Sequence, residues 1–181
     1  RSRSGVAATA PVNTVALPGL VATNTDAPGF LVTLDVEPGP ALVLGAGGSA
    51  RALAIALHDR GFQVRLFNRS ADRARALTDR SGVPILVMPE PDPSDCSLIL
   101  NATSAGLQGQ APKLIWERAV PGALAYDLLY GPGSRPFLKE AAQRGLRTQD
   151  GLGLLVEQGA LAFEWWLQAP APRGAMMEAV Q

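Results

Sequence analysis

Cysteine and histidine each occur once in this 181-residue chain, as Cys96 and His58. A lone cysteine excludes an internal disulfide, and one His with one Cys leaves a zinc site or a Ser-His-Asp hydrolase short of residues, so no metal is expected. Cys96 heads the apolar run Ser97-Leu98-Ile99-Leu100 and reads as a small core residue rather than a nucleophile. His58 lies near an expected helix end before Gly61, where an imidazole satisfies carbonyls more often than it catalyses. A charge excess of one sign is also lacking. Sixteen basic residues balance sixteen acidic ones, which removes the global field that nucleic acid or an anionic membrane would require. No apolar run is long enough to span a bilayer, and Arg1-Ser2-Arg3-Ser4 is not followed by the hydrophobic core of a signal peptide. The expectation is a cytoplasmic protein without membrane contact. With 47% hydrophobic and 18% charged residues, the chain has material for one packed domain and something extra.

The stretch Pro40-Ala41-Leu42-Val43-Leu44-Gly45-Ala46-Gly47-Gly48-Ser49-Ala50-Arg51 joins an apolar strand, a glycine turn and a helix start without a spare residue. In the G-x-G-x-x-G/A pattern, Gly45 permits the tight turn, Gly47 lets the backbone approach a pyrophosphate, and Ala50 keeps the helix close to the strand. The unpaired N–H groups of the following helix face the phosphates with the positive end of its dipole. Taken alone the motif is weak, because any glycine-rich turn between strand and helix reads the same. The next strand, Gln63-Val64-Arg65-Leu66-Phe67, supplies context. An NAD site places Asp or Glu at its end to accept from the ribose 2′-hydroxyl. Here the end reads Asn68-Arg69-Ser70, with Arg73 one helical turn on. Two guanidinium groups and a hydroxyl suit a 2′-phosphate, which favours NADP. The competing reading makes Arg69 and Arg73 a solvated face, at the end of a helix where the dipole disfavours positive charge.

Strands and helices alternate from Pro40 onward. A helix runs through about Arg60, and another covers residues 71–80 behind a Ser70 cap. A short strand at Ile85-Leu86-Val87 is followed by a proline-rich loop, a strand over residues 98–100 and another at Leu124-Ala125-Tyr126-Asp127. A helix near Pro136 to Arg144 is closed by Gly145. The pattern predicts an α/β fold with a doubly wound parallel sheet whose ligands sit at the carboxyl ends of its strands. Asn101-Ala102-Thr103-Ser104-Ala105-Gly106 and Asp127-Leu128-Leu129-Tyr130 fall at such ends. Residues 12–23 read as a hairpin around Pro18-Gly19, marginal by itself. Leu152, Leu155, Val156, Gly159, Phe163, Trp166 and Leu167 form one helical apolar stripe. Both elements need a further surface.

The ordered segments APVNTV, NTDAPGF, GAGGSAR, NRSADR, NATSAG, DLLY and DGLGLLVEQGALAF together resemble shikimate dehydrogenase from about Val12 to Trp166. That resemblance implies a Rossmann-type NADP domain over residues 37–149. It makes residues 1–36 a remnant of a substrate domain with its linker, and residues 150–181 a terminal helix returning to that domain. It implies reversible reduction of 3-dehydroshikimate to shikimate in aromatic amino-acid biosynthesis.

Residue by residue, the resemblance makes Asp26 the catalytic carboxylate and assigns substrate contacts to Asn13, Asp26, Tyr130 and Gln158. It assigns the pyrophosphate loop to Gly45, Ala46, Gly47, Gly48 and Ser49, the 2′-phosphate clamp to Asn68, Arg69, Ser70 and Arg73, and a position beside the nicotinamide to Gly151. Asn24 and Asp26 also read as simple caps for the helix that Pro28 helps to begin. The family's acid/base lysine precedes the VNT segment, whereas Lys113 and Lys139 lie in other motifs, and the serine pair for the substrate carboxylate has no counterpart. The expectation is therefore an incomplete chain, doubtful in activity by itself and prone to self-association through its last helix. Two alternatives stay open: a non-catalytic NADP-binding module, and a paralogue acting on quinate or another small ring substrate.

Overall fold

The computed structural model describes residues 12–17, 19 and 21–180. Pro18 of the expected turn and residues 1–11 lie outside that set, including Ala10 and Pro11 of the first family segment. The described chain divides into two compact units. One comprises the residues up to Leu34 together with those from Gly153 onward, and the other runs from Asp35 to Leu152.

The larger unit is a six-stranded parallel sheet. Its strands are β3 (Pro40–Leu44), β4 (Gln63–Phe67), β5 (Leu86–Val87), β6 (Leu98–Asn101), β7 (Leu124–Asp127) and β8 (Arg147–Gln149). Their spatial order is β5-β4-β3-β6-β7-β8. The chain thus starts at β3, builds outward to one side, and returns to build outward to the other. That reversal beside β3 is where a doubly wound sheet opens a crevice at its carboxyl edge. Every residue of β6 and β7 is buried, as expected of strands covered on both faces. Helices α2 (Gly48–Asp59), α3 (Ala71–Ser81) and α4 (Arg135–Ala142) supply the cover.

Alternation along the strands sends Leu42, Leu44, Ile99 and Ala125 into one core, where they meet Phe137 and Ala141 of α4, Trp116 and Cys96. Each fully buried leucine or phenylalanine there stabilises the fold by about 1.5–3 kcal/mol. Cys96 is 1% exposed, and burial pushes its thiol up to about 11, so it is the core residue its sequence context implied. Trp116 stacks at a tilt on Phe137, with ring centres 5.6 Å apart, and donates to Glu140 at 2.6 Å.

The smaller unit carries the antiparallel hairpin of β1 (Thr14–Ala16) and β2 (Val21–Thr23), with Thr14 opposite Thr23. It continues through α1 (Asp26–Thr33) and closes with α5 (Leu152–Leu167) and α6 (Arg173–Glu178). The buried residues of α5 are Val156, Ala160 and Ala162, whereas Trp166 and Leu167 at its end are exposed. The apolar stripe overstates how far the large side chains are covered. Small residues allow the closest packing: a Cβ on Gly29 of α1 would lie 2.9 Å from the Gln158 backbone nitrogen. α6 is held by Arg173, which bonds Glu157 at 3.0 Å and both oxygens of Glu164.

Element boundaries differ from the sequence reading by a residue or two. α4 ends at Ala142, two residues short of the expected Arg144, and Gly145 closes the turn beyond it by donating to the Ala142 carbonyl at 3.1 Å. β5 starts at Leu86. The end of α2 is closed by backbone donors, Arg60 N to Ala56 O at 3.1 Å and Gly61 N to His58 O at 2.9 Å.

Candidate dinucleotide and substrate sites

The dinucleotide half is built at two successive strand-to-helix corners. At the first, Gly45 takes φ +108°, a conformation open to glycine, and donates its N–H to Phe67 O at 2.9 Å. A Cβ on Gly45 would also lie 2.8 Å from Ala102 O, so side-chain bulk is excluded twice over. Gly47 caps α2 without any side-chain hydrogen bond, and a Cβ on Gly47 or Gly48 would meet nothing within 4 Å. The first turn of α2 is therefore uncrowded on its glycine side, while Ala50 is fully buried. That open, uncapped helix start fits a pyrophosphate.

The second corner follows β4, next to β3 in the sheet. Ser70 caps α3 by accepting from Arg73 N at 3.4 Å, as the sequence predicted. Its hydroxyl proton is not used by that bond. Asn68 Nδ2 donates to Ser70 O at 2.9 Å and stiffens the corner. Arg69 and Arg73 are both exposed, and neither forms an ion pair among the described residues. The nearest acidic neighbour in sequence, Asp72, pairs with Arg75 instead at 3.4 Å. Two cations held at a helix start, where the dipole disfavours them, are suited to receiving an anion.

In the smaller unit, Asn13 acts as a clamp. Its Nδ2 donates to Asp26 Oδ1 at 2.7 Å and to Thr25 Oγ1 at 2.9 Å, while its Oδ1 accepts from Thr25 N at 2.9 Å and Thr14 Oγ1 at 3.0 Å. Asn24 accepts from Ala27 N at 2.8 Å and so takes the capping role at α1. The side-chain capping bond at α1 is thus made by Asn24, and the Asp26 carboxylate bonds Asn13. Half-burial raises the Asp26 carboxyl above its ordinary value, and the Asn13 hydrogen bond partly offsets this. A carboxyl raised by its surroundings and fixed by an amide is suited to proton exchange. Gln158 lies on α5 where α1 approaches at Gly29, and its Nε2 donates to Leu155 O at 3.0 Å.

The substrate candidates divide between the units: Asn13, Asp26 and Gln158 in the smaller, Tyr130 in the larger. Tyr130 is 49% exposed on the loop after β7. Gly151 follows β8 and donates to Leu129 O at 2.9 Å. Sequence reasoning placed Asn101 and Asp127 at strand ends without giving them a role. The parallel register sets them opposite each other, with Asn101 Nδ2 donating to Asp127 Oδ2 at 2.9 Å. Both side chains are fully buried. No group of His, Cys, Asp and Glu suited to a metal occurs among the described residues, and no described helix is long and apolar enough to cross a membrane.

Known proteins share this fold. Residues 151–181 match the family described as Shikimate 5'-dehydrogenase C-terminal domain. The chain is 42% identical over 165 residues to the Shikimate dehydrogenase (NADP(+)) of Nitrobacter hamburgensis, covering 84% of this chain and 58% of that protein. It superimposes with a TM-score of 0.82 and 40% identity on the Thermus thermophilus shikimate 5-dehydrogenase in complex with NADP(H) and shikimate, covering 93% of this chain and 66% of that one. A 5-ketofructose reductase from Gluconobacter matches at 29% identity with a TM-score of 0.80, covering 93% of this chain and 67% of that one. The chain thus spans somewhat more than half the length of the curated relatives it matches. Sequence identity, the strand order and the two strand-to-helix corners together establish that the chain belongs to the shikimate dehydrogenase family.

Proposed function

We propose that the chain carries the NADP site and part of the substrate site of an oxidoreductase that interconverts 3-dehydroshikimate and shikimate. The observation that carries the reading is the β4–α3 corner, where Asn68, Arg69, Ser70 and Arg73 stand in place of the carboxylate that selects NAD. Gly45, Ala46, Gly47, Gly48 and Ser49 would hold the pyrophosphate, and Gly151 would flank the nicotinamide. When bound, NADPH supplies the hydride for the carbonyl carbon. Asp26, oriented by Asn13, would hold the substrate oxygen and exchange its proton, while Asn13 and Gln158 would fix the ring by its hydroxyls. The relatives named for NADP-dependent shikimate dehydrogenation support the substrate class.

The test is an assay of the complete reading frame containing this sequence, following NADPH absorbance with shikimate and NADP. Turnover should fall about a hundredfold or more on Asp26→Asn. Equal turnover in the variant removes Asp26 from the chemistry, and no turnover of shikimate by the unaltered protein removes the substrate assignment. The likeness to a 5-ketofructose reductase supports a second reading, reduction of another polyhydroxylated ketone, so quinate and 5-ketofructose belong in the same assay. Leu17, Val15, Trp166 and Leu167 are exposed in the smaller unit and support self-association of the chain, readable by sedimentation.

A further inference from the structure

We propose that Asp127 is a positioning residue for the nicotinamide side of the dinucleotide crevice, acting through Leu129 on the loops that carry Tyr130 and Gly151. The proposal rests on the NADP reading above. Its basis is a continuous path of hydrogen bonds across three loops, each following a different strand of the sheet. Thr103 donates to Asn101 Oδ1 from its N–H at 3.1 Å and its hydroxyl at 2.8 Å. Asn101 Nδ2 donates to Asp127 Oδ2 at 2.9 Å, and Leu129 N donates to Asp127 Oδ1 at 3.0 Å. The Leu129 carbonyl then accepts from Gly151 N at 2.9 Å. The backbone reinforces the path where Leu128 N donates to Asn101 O at 3.0 Å.

The position decides what the path serves. In a doubly wound sheet the dinucleotide lies across the point where strand order reverses, with its adenosine over the first strand pair. The adenosine end here belongs to β3 and β4, where Arg69 and Arg73 stand. The opposite end of the ligand must therefore extend over β6 and β7, at whose carboxyl edge Asn101 and Asp127 pair. A polar pair with no exposed surface is a costly way to fill a core, and apolar residues of similar volume commonly serve stability as well or better. What the pair supplies is direction: both Asp127 oxygens are engaged, Oδ2 by Asn101 at the end of β6 and Oδ1 by the Leu129 N–H of the loop that follows β7. Burial pushes its carboxyl up to about 6 against the two bonds that lower it, with Asp150 adding to the rise.

Asp127→Asn must lose one contact, because an amide presents one acceptor where the carboxylate presents two. Exchanging the pair, Asn101→Asp with Asp127→Asn, restores the count. The amide at 127 then donates to the carboxylate at 101 and still accepts from Leu129, while Thr103 keeps its acceptor.

The experiment titrates the whole chain with NADPH and, separately, with 2′,5′-ADP, which carries the phosphorylated ribose but no nicotinamide. Asp127→Asn should weaken NADPH about tenfold to a hundredfold and leave 2′,5′-ADP unchanged. The exchanged double variant should recover NADPH affinity. A single variant that binds NADPH as tightly as wild type overturns the proposal. So does equal loss of both ligands, which marks a merely structural role, or failure of the exchange to restore binding. A wild-type chain that binds neither ligand overturns the NADP reading itself, and the positioning role with it.

Discussion

Asn13 Nδ2 lies 2.7 Å from Asp26 Oδ1, so an amide at the start of β1 fixes the carboxylate that opens α1. This bond favours the charged form of Asp26, whereas half-burial disfavours it and is the larger effect. Asn13→Ala should therefore raise the Asp26 carboxyl further above its present value. An NMR titration of the side-chain carboxyl reads the change directly. An unchanged or lowered titration midpoint would show that the amide does not control this carboxylate.

Close packing of α1 on α5 gives a second expectation. A methyl on Gly29 meets the Gln158 backbone at 2.9 Å and 3.1 Å, and backbone yields only by moving a helix. Gly29→Ala should cost about 1–3 kcal/mol, the usual penalty for overpacking. Gly174→Ala, in α6 of the same unit, meets nothing within 4 Å and should be neutral or slightly stabilising. Denaturant midpoints of the two variants against wild type test the contrast. Equal midpoints for Gly29→Ala and Gly174→Ala would contradict the packing described.

Stability should also depend on pH through Asp127. Its folded pKa of about 6 lies above the unfolded value, so the folded state holds the proton more readily between the two. The stabilisation is fully present below about pH 4 and is lost as pH rises through about 6, to a limit of about 3 kcal/mol. Asp127→Asn cannot titrate and should lack this component. The stability of wild type relative to the variant should thus fall between pH 4 and pH 7. Parallel unfolding profiles over that range would contradict a raised carboxyl.

The two corners that would grip the nucleotide were legible because their determinants are local. Gly45 needs its positive φ, Ser70 caps the helix that follows it, and both signals sit within a few residues of the feature they create. The remainder depends on distant partners. β8 is three residues long and mostly exposed, so no apolar run announces it, and its pairing with β7 decides its existence. α6 is tied down by Arg173 to Glu157 and Glu164, sixteen and nine residues earlier in the chain. Asn101 and Asp127 were each visible at a strand end, but only the β6–β7 register makes them a pair. At Asn24 and Asp26 the sequence offered capping as one role, and only the folded chain shows that Asn24 makes the capping bond while Asp26 meets Asn13.

Nucleotide choice is the most direct test, since the reading turns on the corner after β4. Arg69 and Arg73 are exposed and without ion-pair partners among the described residues, as a site awaiting a phosphate requires. Titrating the chain with NADPH and NADH should give tighter NADPH binding, and Arg69→Ala should weaken NADPH about tenfold to a hundredfold while leaving NADH unchanged. Equal affinity of the wild-type chain for the two nucleotides would contradict the account.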